Sequence, residues 1–489
     1  MSHTFDLHAA AVRAMTEADF LPEFAPEALA EAKRVLPPFP SDHAPETADQ
    51  RQDLRGLLWS SIDNKTSLDL DQVEVAEQLA DGSIVIRVGI ADVASVVPRD
   101  SAIDQHAAHN TSSVYTGVRT FAMLPEHLSN DVTSLRQGVD RAVIVIEFTV
   151  TPDGECGNHR VYAAFAHNHA KLDYIRVGAW LEQGERATSI SSPEIEAQIR
   201  LQEEAARRLR AQRIRRGSLS FETIEAQPVV GADGKISIEL VHKTRANNII
   251  EDLMVTANVI IAGFLDEQNM PAIRRIVRKP DRWNRIVALA MAAGTTLPEE
   301  PDAAALAAFL ADQQQQNPGG FADLSLSVVK LLGPGQYAVH HPADADEGHF
   351  GLATQYYTHS TAPNRRFGDL VTQRLLKAAL HKQIAPYTIA ELAELAEHCT
   401  ERENAARKVE RVVRKQAAAA SLTDSVGQSF AAIVTGVTRN GTFVRVTLPP
   451  VEGRVIQGES GLDVGDHIKV RLESVDVAKG FIDFAAIRS

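Results

Sequence analysis

Read as a pattern of apolar and polar positions, the chain changes period several times. Near the N-terminus "DLHAAAVRAM" and "PEALAEAKRVL" repeat apolar residues at spacings of three and four, which predicts two short helices within 5–35, the second with Pro26 near its start. "LPPFPSDHAPETADQ" (36–50) is rich in proline and acid and reads as a linker. Strand-like runs follow through about 97 and again at 142–151. Helix-forming stretches cover 193–216, 244–266, 283–293, 366–381 and 389–420, whereas "PGGFADLSLSVVKLLGPGQ" carries the glycine and proline punctuation of turns. From 428 the chain turns to short alternating runs: "SFAAIVTGVTRNGTFVRVTL", "EGRVIQG", "HIKVRLESVDV" and "GFIDFAAI". Within the first of these, Asn440-Gly441 is a hairpin signal. Five short strands in about 60 residues predict a small barrel of the oligonucleotide-binding type. The expected class is α+β, with a helical module and linker over 1–50, a large mixed domain over 51–425 and a barrel over 428–489.

Length and composition narrow the function classes. A chain of 489 residues exceeds one simple core. Its 44% apolar and 23% charged residues are those of a globular protein. No uninterrupted apolar run of about 18 residues is present, so no membrane span is expected. The first twenty residues lack the basic start and apolar block of a signal peptide. Cys156 and Cys399 match no metal or redox spacing, and a reducing cytoplasm is the expected compartment. The net charge of −14 argues against a polyanionic partner only in the far field, because affinity depends on where the cations sit. Basic residues cluster in "RRLRAQRIRRG" (207–217), "IRRIVRKPDR" (273–282) and "RKVERVVRK" (407–415). Each cluster reads equally well as a solvated helix face balanced by acids.

The candidate chemistry begins at "SSIDNKTSLDLDQVEV" (60–75), which sets Asp63, Asp69 and Asp71 within nine positions, ahead of the apolar "SIVIRVGIADVASVV" with its further acid Asp92. Like charges about 5 Å apart repel by under about 1 kcal/mol in water, but by about 3 kcal/mol at an effective dielectric of about 20. An exposed triad is therefore cheap, and a half-buried one calls for a cation. Counted from Asp63, the twelfth position is Glu74, as an EF-hand requires; Lys65 and Leu68 then occupy the third and sixth positions, where an oxygen ligand and a glycine are needed. That excludes an EF-hand loop. Carboxylates without histidine or cysteine suit Mg²⁺ or Mn²⁺, ions that act on phosphates. Further on, "HFGLATQYYTHSTAPNRRFGDLVTQRLLKAAL" (349–380) predicts a helix after Pro363 with Arg365 and Arg366 in its first turn. An arginine there can grip phosphate or simply pair with Asp369.

Five blocks in order carry a family resemblance: "SSIDNKTSLDLDQ", "VYTGVRTFAMLPEHLSNDVTSLRQG" (114–138), "HAKLDYIRVGAWL" (169–181), "ANNIIEDLMVTANV" (246–259) and "HFGLA…YTHSTAPNRRFGDL". Together they resemble the ribonuclease II family of RNB-domain exoribonucleases, and the C-terminal runs are similar to an S1 RNA-binding domain. The resemblance covers nearly the whole chain and implies processive, Mg²⁺-dependent hydrolysis of RNA from its 3′ end to nucleoside 5′-monophosphates, with Mn²⁺ as a substitute ion. It implies a metal site of Asp63, Asp69, Asp71 and Gln72, with Asp71 the most critical for cleavage and Arg365 offsetting phosphoryl charge. Tyr115 and Phe221 match an aromatic pair that clamps terminal bases. Tyr174 and Glu251 match positions that hold RNA and recognise its ribose, and Glu410 matches a further residue near the site. Single-stranded RNA 3′ ends are the implied partner, and a monomer the implied state.

Two departures qualify the resemblance. Where the best-known members have a fourth aspartate after Asp71, this chain has Gln72, whose amide oxygen brings no charge; weaker metal affinity or a ligand from elsewhere is expected. The usual members begin with two cold-shock barrels of roughly 70 residues each. The residues before the RNB block read instead as a small helical, winged-helix-like module, and a more open channel mouth would tolerate RNA with secondary structure. The alternatives are a catalytically weakened RNB-like protein that binds RNA without cutting it, favoured by Gln72, and a metal-dependent DNase or endonuclease.

Overall fold

The computed structural model of the chain describes residues 5–37, 51–184, 188–222, 225–230, 236–241, 243–342, 344, 347–438 and 441–487. The expected linker, from residue 38 on, and Asn440 of the hairpin signal lie outside these. The first strands are β1 (Gln52–Asp53), β2 (Trp59–Asp63), β3 (Gln72–Gln78), β4 (Ile84–Ala91), β5 (Val114–Tyr115), β6 (Thr120–Phe121), β7 (Asp140–Val150) and β8 (Cys156–Asp173). Helices α1 (Leu7–Glu17) and α2 (Pro26–Ala32) precede them, and α3 (Ala102–Asn110) falls among them. After β8 come α4 (Tyr174–Gln183), α5 (Pro193–Arg215), α6 (Arg245–Glu267), α7 (Trp283–Ala292), α8 (Ala303–Gln316), α9 (Phe321–Leu332), α10 (Phe367–Leu380) and α11 (Ile389–Ser421).

The main sheet has the order β1-β8-β2-β3-β4-β7, and a further β7–β8 pairing closes it on itself. The eighteen residues of β8 make this possible: its first half runs antiparallel to β7 and its second half parallel to β2. Because β7 is buried along nearly its whole length, the centre of its sequence "DRAVIVIEFTV", "AVIVI", is a continuous apolar run rather than an alternating one. Between β2 and β3 only Ser60 and Glu74 pair, so β3 leaves an open edge. Here α5 stands in for a strand: the Gln198 amide donates to the Ala76 carbonyl at 2.9 Å and accepts from its N–H at 2.7 Å.

One expectation is corrected here. "PGGFADLSLSVVKLLGPGQ" is not a run of turns but contains α9, with Gly320 and Gly333 as its caps; the punctuation marks the helix ends. α6, 23 residues long with a hydropathy of 1.5 over its most apolar 18, is long and apolar enough to cross a membrane by composition. It is instead the buried core helix of this domain, with Ala246, Ile249, Leu253, Ala257 and Ile261 almost fully enclosed.

Two antiparallel ribbons, β9 (Glu225–Val230) with β10 (Ile236–Val241) and β11 (Ala272–Ile276) with β12 (Gln336–His340), lie outside the main sheet. The C-terminal strands β13 (Ser429–Thr438), β14 (Gly441–Val446), β15 (Glu452–Gln457), β16 (His467–Asp476) and β17 (Phe481–Ile487) form the expected closed barrel. Its core of Val434, Val444, Val455, Val470, Leu472 and Phe484 is continuous with Ala419 and Leu422 at the end of α11. At this junction the backbone approaches so closely that a Cβ on Gly480 would lie 2.7 Å from that of Lys415, so only glycine fits. At the other end of the chain, Ala11, Met15 and Phe20 pack on Val114, Phe121 and the Ala406, Val409 and Val413 face of α11. Described residues 5–37 hold two helices and no strand, so the winged-helix-like expectation finds no wing there.

Candidate active site

The loop between β2 and β3 carries the acids and is tied down from three sides. Asp63 Oδ1 accepts from the Asn64 N–H at 2.6 Å and from Ser67 Oγ at 2.8 Å, which folds the loop back on the end of β2. Ser134 Oγ donates to the Leu68 carbonyl at 2.6 Å and accepts from the Leu70 N–H at 3.2 Å. From β8, Lys171 Nζ reaches the Lys65 carbonyl at 3.1 Å and also the Ser67 carbonyl. Asp69 then meets Tyr115, whose hydroxyl donates to Asp69 Oδ2 at 3.0 Å, while the Tyr115 N–H donates to Glu410 of α11 at 3.0 Å.

Asp71 is the centre of the site. It is buried, and its two carboxylate oxygens accept from the Asn364 N–H at 2.9 Å and from Arg365 Nε at 3.0 Å. Burial pushes its pKa up to about 7; Arg365 and the Asn364 N–H oppose the rise, and Asp69 adds to it. Arg365 keeps 43% of its side chain exposed, so the guanidinium bridges a buried acid and open solvent. Neither Arg365 nor Arg366 lies in the first turn of α10, as the sequence pattern predicts: the helix begins at Phe367, with Arg366 as its N-cap residue. Arg366 pairs with Asp369 at 2.7 Å, and so takes the structural role, leaving Arg365 for Asp71. The preceding turn is anchored by the Ser113 N–H to the Arg365 carbonyl at 3.0 Å and by the Phe367 N–H to the Thr111 carbonyl at 2.7 Å.

A second group lies beside the first. Glu74 is fully enclosed, and neither carboxylate oxygen has a hydrogen-bond partner. Burial drives its pKa far above the carboxylate range, and the charge of Asp63 adds to the rise. Tyr174, the first residue of α4, is pushed up by burial first and then by Asp63 and Glu74. Gln72 is buried at the start of β3. Glu251, on α6, is partly exposed and paired with Lys243. The Tyr174 carbonyl accepts from Thr244, the α6 N-cap, at 3.2 Å, so this helix begins at the site.

Not every expected residue converges. Tyr115 is 41% exposed and presents its ring to solvent, but Phe221 is half-buried against the separate cluster of Trp283, Ile286, Phe309 and Phe321. Asp92 is a structural acid, bound by Arg51 at 2.7 Å and Lys377 at 3.0 Å. The arginines of 207–217 pair with Glu204, Asp252 and Glu155 or bond to backbone carbonyls and Gln212, which is the balanced-helix reading. In 407–415, by contrast, Lys408, Arg411, Arg414 and Lys415 face solvent along α11. The sequence does not point to Asn364 or Lys171, which act through a backbone N–H and on loop carbonyls, for which no spacing rule exists, and it offers Glu74 only as the twelfth position of an EF-hand that fails.

A divalent ion suits the oxygen chemistry of these residues. Among the described residues no three acidic, histidine or cysteine side chains stand close enough to hold a metal as they are, so the side chains would have to close around it. The unpartnered carboxylate of Glu74, next to Asp63, is the mark of a cation deficit.

A family model described as the RNB domain matches residues 51–382. The chain belongs to the RNB-domain family. A second model, the C-terminal S1 domain of RNase II-type exonucleases, matches the RNB protein's barrel over 428–487. Ribonuclease R 1 of Lactococcus lactis is 30% identical over 504 residues, covering 96% of this chain and 60% of that protein. Ribonuclease R of Escherichia coli is 30% identical over 490 residues, with 92% and 59% covered. This RNB chain thus spans about 60% of the length of the curated relatives it matches. A structure of Mycoplasma genitalium RNase R in complex with ribose-methylated single-stranded RNA superposes with a TM-score of 0.87 at 23% identity, covering 99% of this chain and 78% of that one. The two share a fold.

Proposed function

We propose that the protein is a hydrolytic exoribonuclease that shortens RNA from its 3′ end and releases nucleoside 5′-monophosphates. The observation that carries this reading is the meeting of buried Asp71 with half-exposed Arg365, 294 positions away in the chain, beside Asp69 and the open ring of Tyr115. Membership of the RNB family supports it. A divalent ion such as Mg²⁺, with Mn²⁺ as a substitute, would be held by Asp63, Asp69, Asp71 and Gln72, and would supply Lewis-acid polarisation of the scissile phosphate and a lowered pKa for the attacking water.

The chain's own residues account for the rest. The Asn364 N–H and Arg365 Nε fix the carboxylate plane of Asp71. The remaining guanidinium nitrogens of Arg365 are free to meet phosphoryl oxygens from the open side, a charge-assisted contact that strengthens as negative charge builds. Tyr115, held by Asp69 and Glu410, offers a face on which any base stacks. Glu251 on α6 would accept from a ribose 2′-OH and so select RNA over DNA. Lys408, Arg411, Arg414 and Lys415 provide local positive charge on a chain of net charge −14, and the barrel at the end of the same helix adds an RNA-binding surface. We extend the reading to RNA with secondary structure, which is supported by the complex of Mycoplasma genitalium RNase R with double-stranded RNA.

One experiment tests this. RNA labelled at either end, and DNA of the same sequence, are incubated with Mg²⁺ and then with EDTA. The 3′ label should leave at once as a mononucleotide and the 5′ label should pass down a ladder, with DNA intact and all change stopped by EDTA. Internal fragments would point to an endonuclease, and bound but intact RNA to a binding protein.

A further inference from the structure

Seven acids are buried among the described residues, and six have a cationic partner. Asp71 has Arg365, Asp92 has Arg51 and Lys377, Asp104 has Arg374, Glu147 has Arg87 and Arg160, Asp252 has Arg210 and Arg213, and Asp369 has Arg366. Glu74 is the exception, with neither a cation nor a hydrogen-bond donor on either oxygen. An ionised carboxylate left this way costs several kcal/mol. Its surroundings are those of the candidate site. Strand alternation sets Glu74 on the same face of β3 as Gln72, two residues earlier. Asp63 is the charge it feels most, and Tyr174 feels both acids. Across the strand pair, its register partner Ser60 is also fully enclosed, with an unpartnered Oγ.

We propose that Glu74 is a ligand of the divalent cation, acting with Asp63 and supplying the negative charge that Gln72 does not bring. This rests on the hydrolase reading above and deepens it. Gln72, Glu74 and Ser60 share one face of the paired strands and Asp63 ends β2; all four are oxygen donors of the kind Mg²⁺ and Mn²⁺ take. The charge of Asp63 is felt by Glu74, Tyr174 and Arg365 alike, so Glu74 belongs to the same acidic neighbourhood as Asp71. The competing account is a permanently protonated Glu74 whose hydroxyl faces Gln202, whose buried Oε1 also lacks a partner and whose Nε2 lies 3.4 Å from the Glu74 carbonyl.

The test is Mn²⁺ binding by the full chain, read from the electron paramagnetic resonance signal of the free ion. Glu74→Gln keeps shape and hydrogen-bonding capacity but not charge. It should weaken Mn²⁺ binding by at least about tenfold, while the EDTA-treated variant melts no lower than wild type. Adding Gln72→Asp to that variant should restore most of the affinity. If Glu74→Gln does not fold, Glu74→Met, which fills the space without polar atoms, serves in its place. Undiminished Mn²⁺ binding by the variant overturns the proposal and favours the protonated acid; RNA hydrolysis by wild type would then leave the broader reading standing. A wild type that neither binds Mn²⁺ nor hydrolyses RNA overturns both.

Discussion

Asp71 and Asp92 lie one register step apart on neighbouring strands: the Ala91 N–H donates to the Asp71 carbonyl at 2.9 Å, and Asp92 follows Ala91. Both acids are buried, 1% and 3% exposed. The fold treats them differently. Asp92 receives two cations, Arg51 and Lys377, for one carboxylate. Asp71 shares one half-exposed arginine, in a neighbourhood that also contains Asp69, Asp63 and Glu74. The chain can therefore neutralise a buried acid completely at this end of the sheet, and beside Asp71 it does not. A structural ion pair is closed on itself. A site is left short of positive charge, and the shortfall is one that a divalent cation would make good.

The largest expected effect is on stability. Asp92→Ala strands two buried cations and should cost about 3–5 kcal/mol in urea denaturation. Asp71→Asn in EDTA keeps one oxygen for the Asn364 N–H, leaves half-exposed Arg365 to solvent and removes the buried charge, so it should change stability by only about 1 kcal/mol. Equal losses would erase the contrast between the two acids.

The next effect is on its pH dependence. In the metal-free protein the pKa of Asp71 is about 7, against 3.8 for the ordinary side chain. An acid raised in the folded state contributes its full stabilisation below the unfolded value, and loses it as pH climbs through the folded one. From about pH 4 to 7, wild type should lose stability relative to Asp71→Asn, and the difference should level off above that range. A difference that stays flat, or runs the other way, would remove the charge shortfall at Asp71.

The smallest effect separates the two aromatics. Tyr115→Ala should weaken binding of a short RNA in EDTA by about 1–3 kcal/mol, the range for one lost stacking partner. Phe221→Ala should act mainly on folding, at roughly half the 3–5 kcal/mol of a fully buried phenylalanine. If Phe221→Ala weakens RNA as much as Tyr115→Ala without loss of stability, Phe221 is a stacking residue despite its packing.

Most of the fold was legible, because long amphipathic helices and a run of short alternating strands state their periods openly. The helices read at 193–216, 244–266 and 389–420 match α5, α6 and α11 within a residue or so at each end. What escaped were elements whose context overrides pattern. β8 is one strand of eighteen residues whose two halves serve different neighbours, and its "AAFAHNHAK" has neither branched residues nor clean alternation. In α9 the flanking glycines drew the eye from an apolar interior. At the site, Asp63, Asp69 and Asp71 could be seen as a local cluster. Their link to Arg365 is set by tertiary folding across 294 positions, and Glu74 looks like an ordinary polar residue of a strand until its burial is known.

The most direct test is the single-turnover shortening of 5′-labelled single-stranded RNA by wild type and by Asp71→Asn at saturating Mg²⁺, both verified as folded. The charge-deficit account predicts stepwise loss of nucleotides by wild type and a rate lower by about 10²–10³-fold or more in the variant. A variant that shortens RNA as fast as wild type, or a wild type that leaves it untouched, would contradict it.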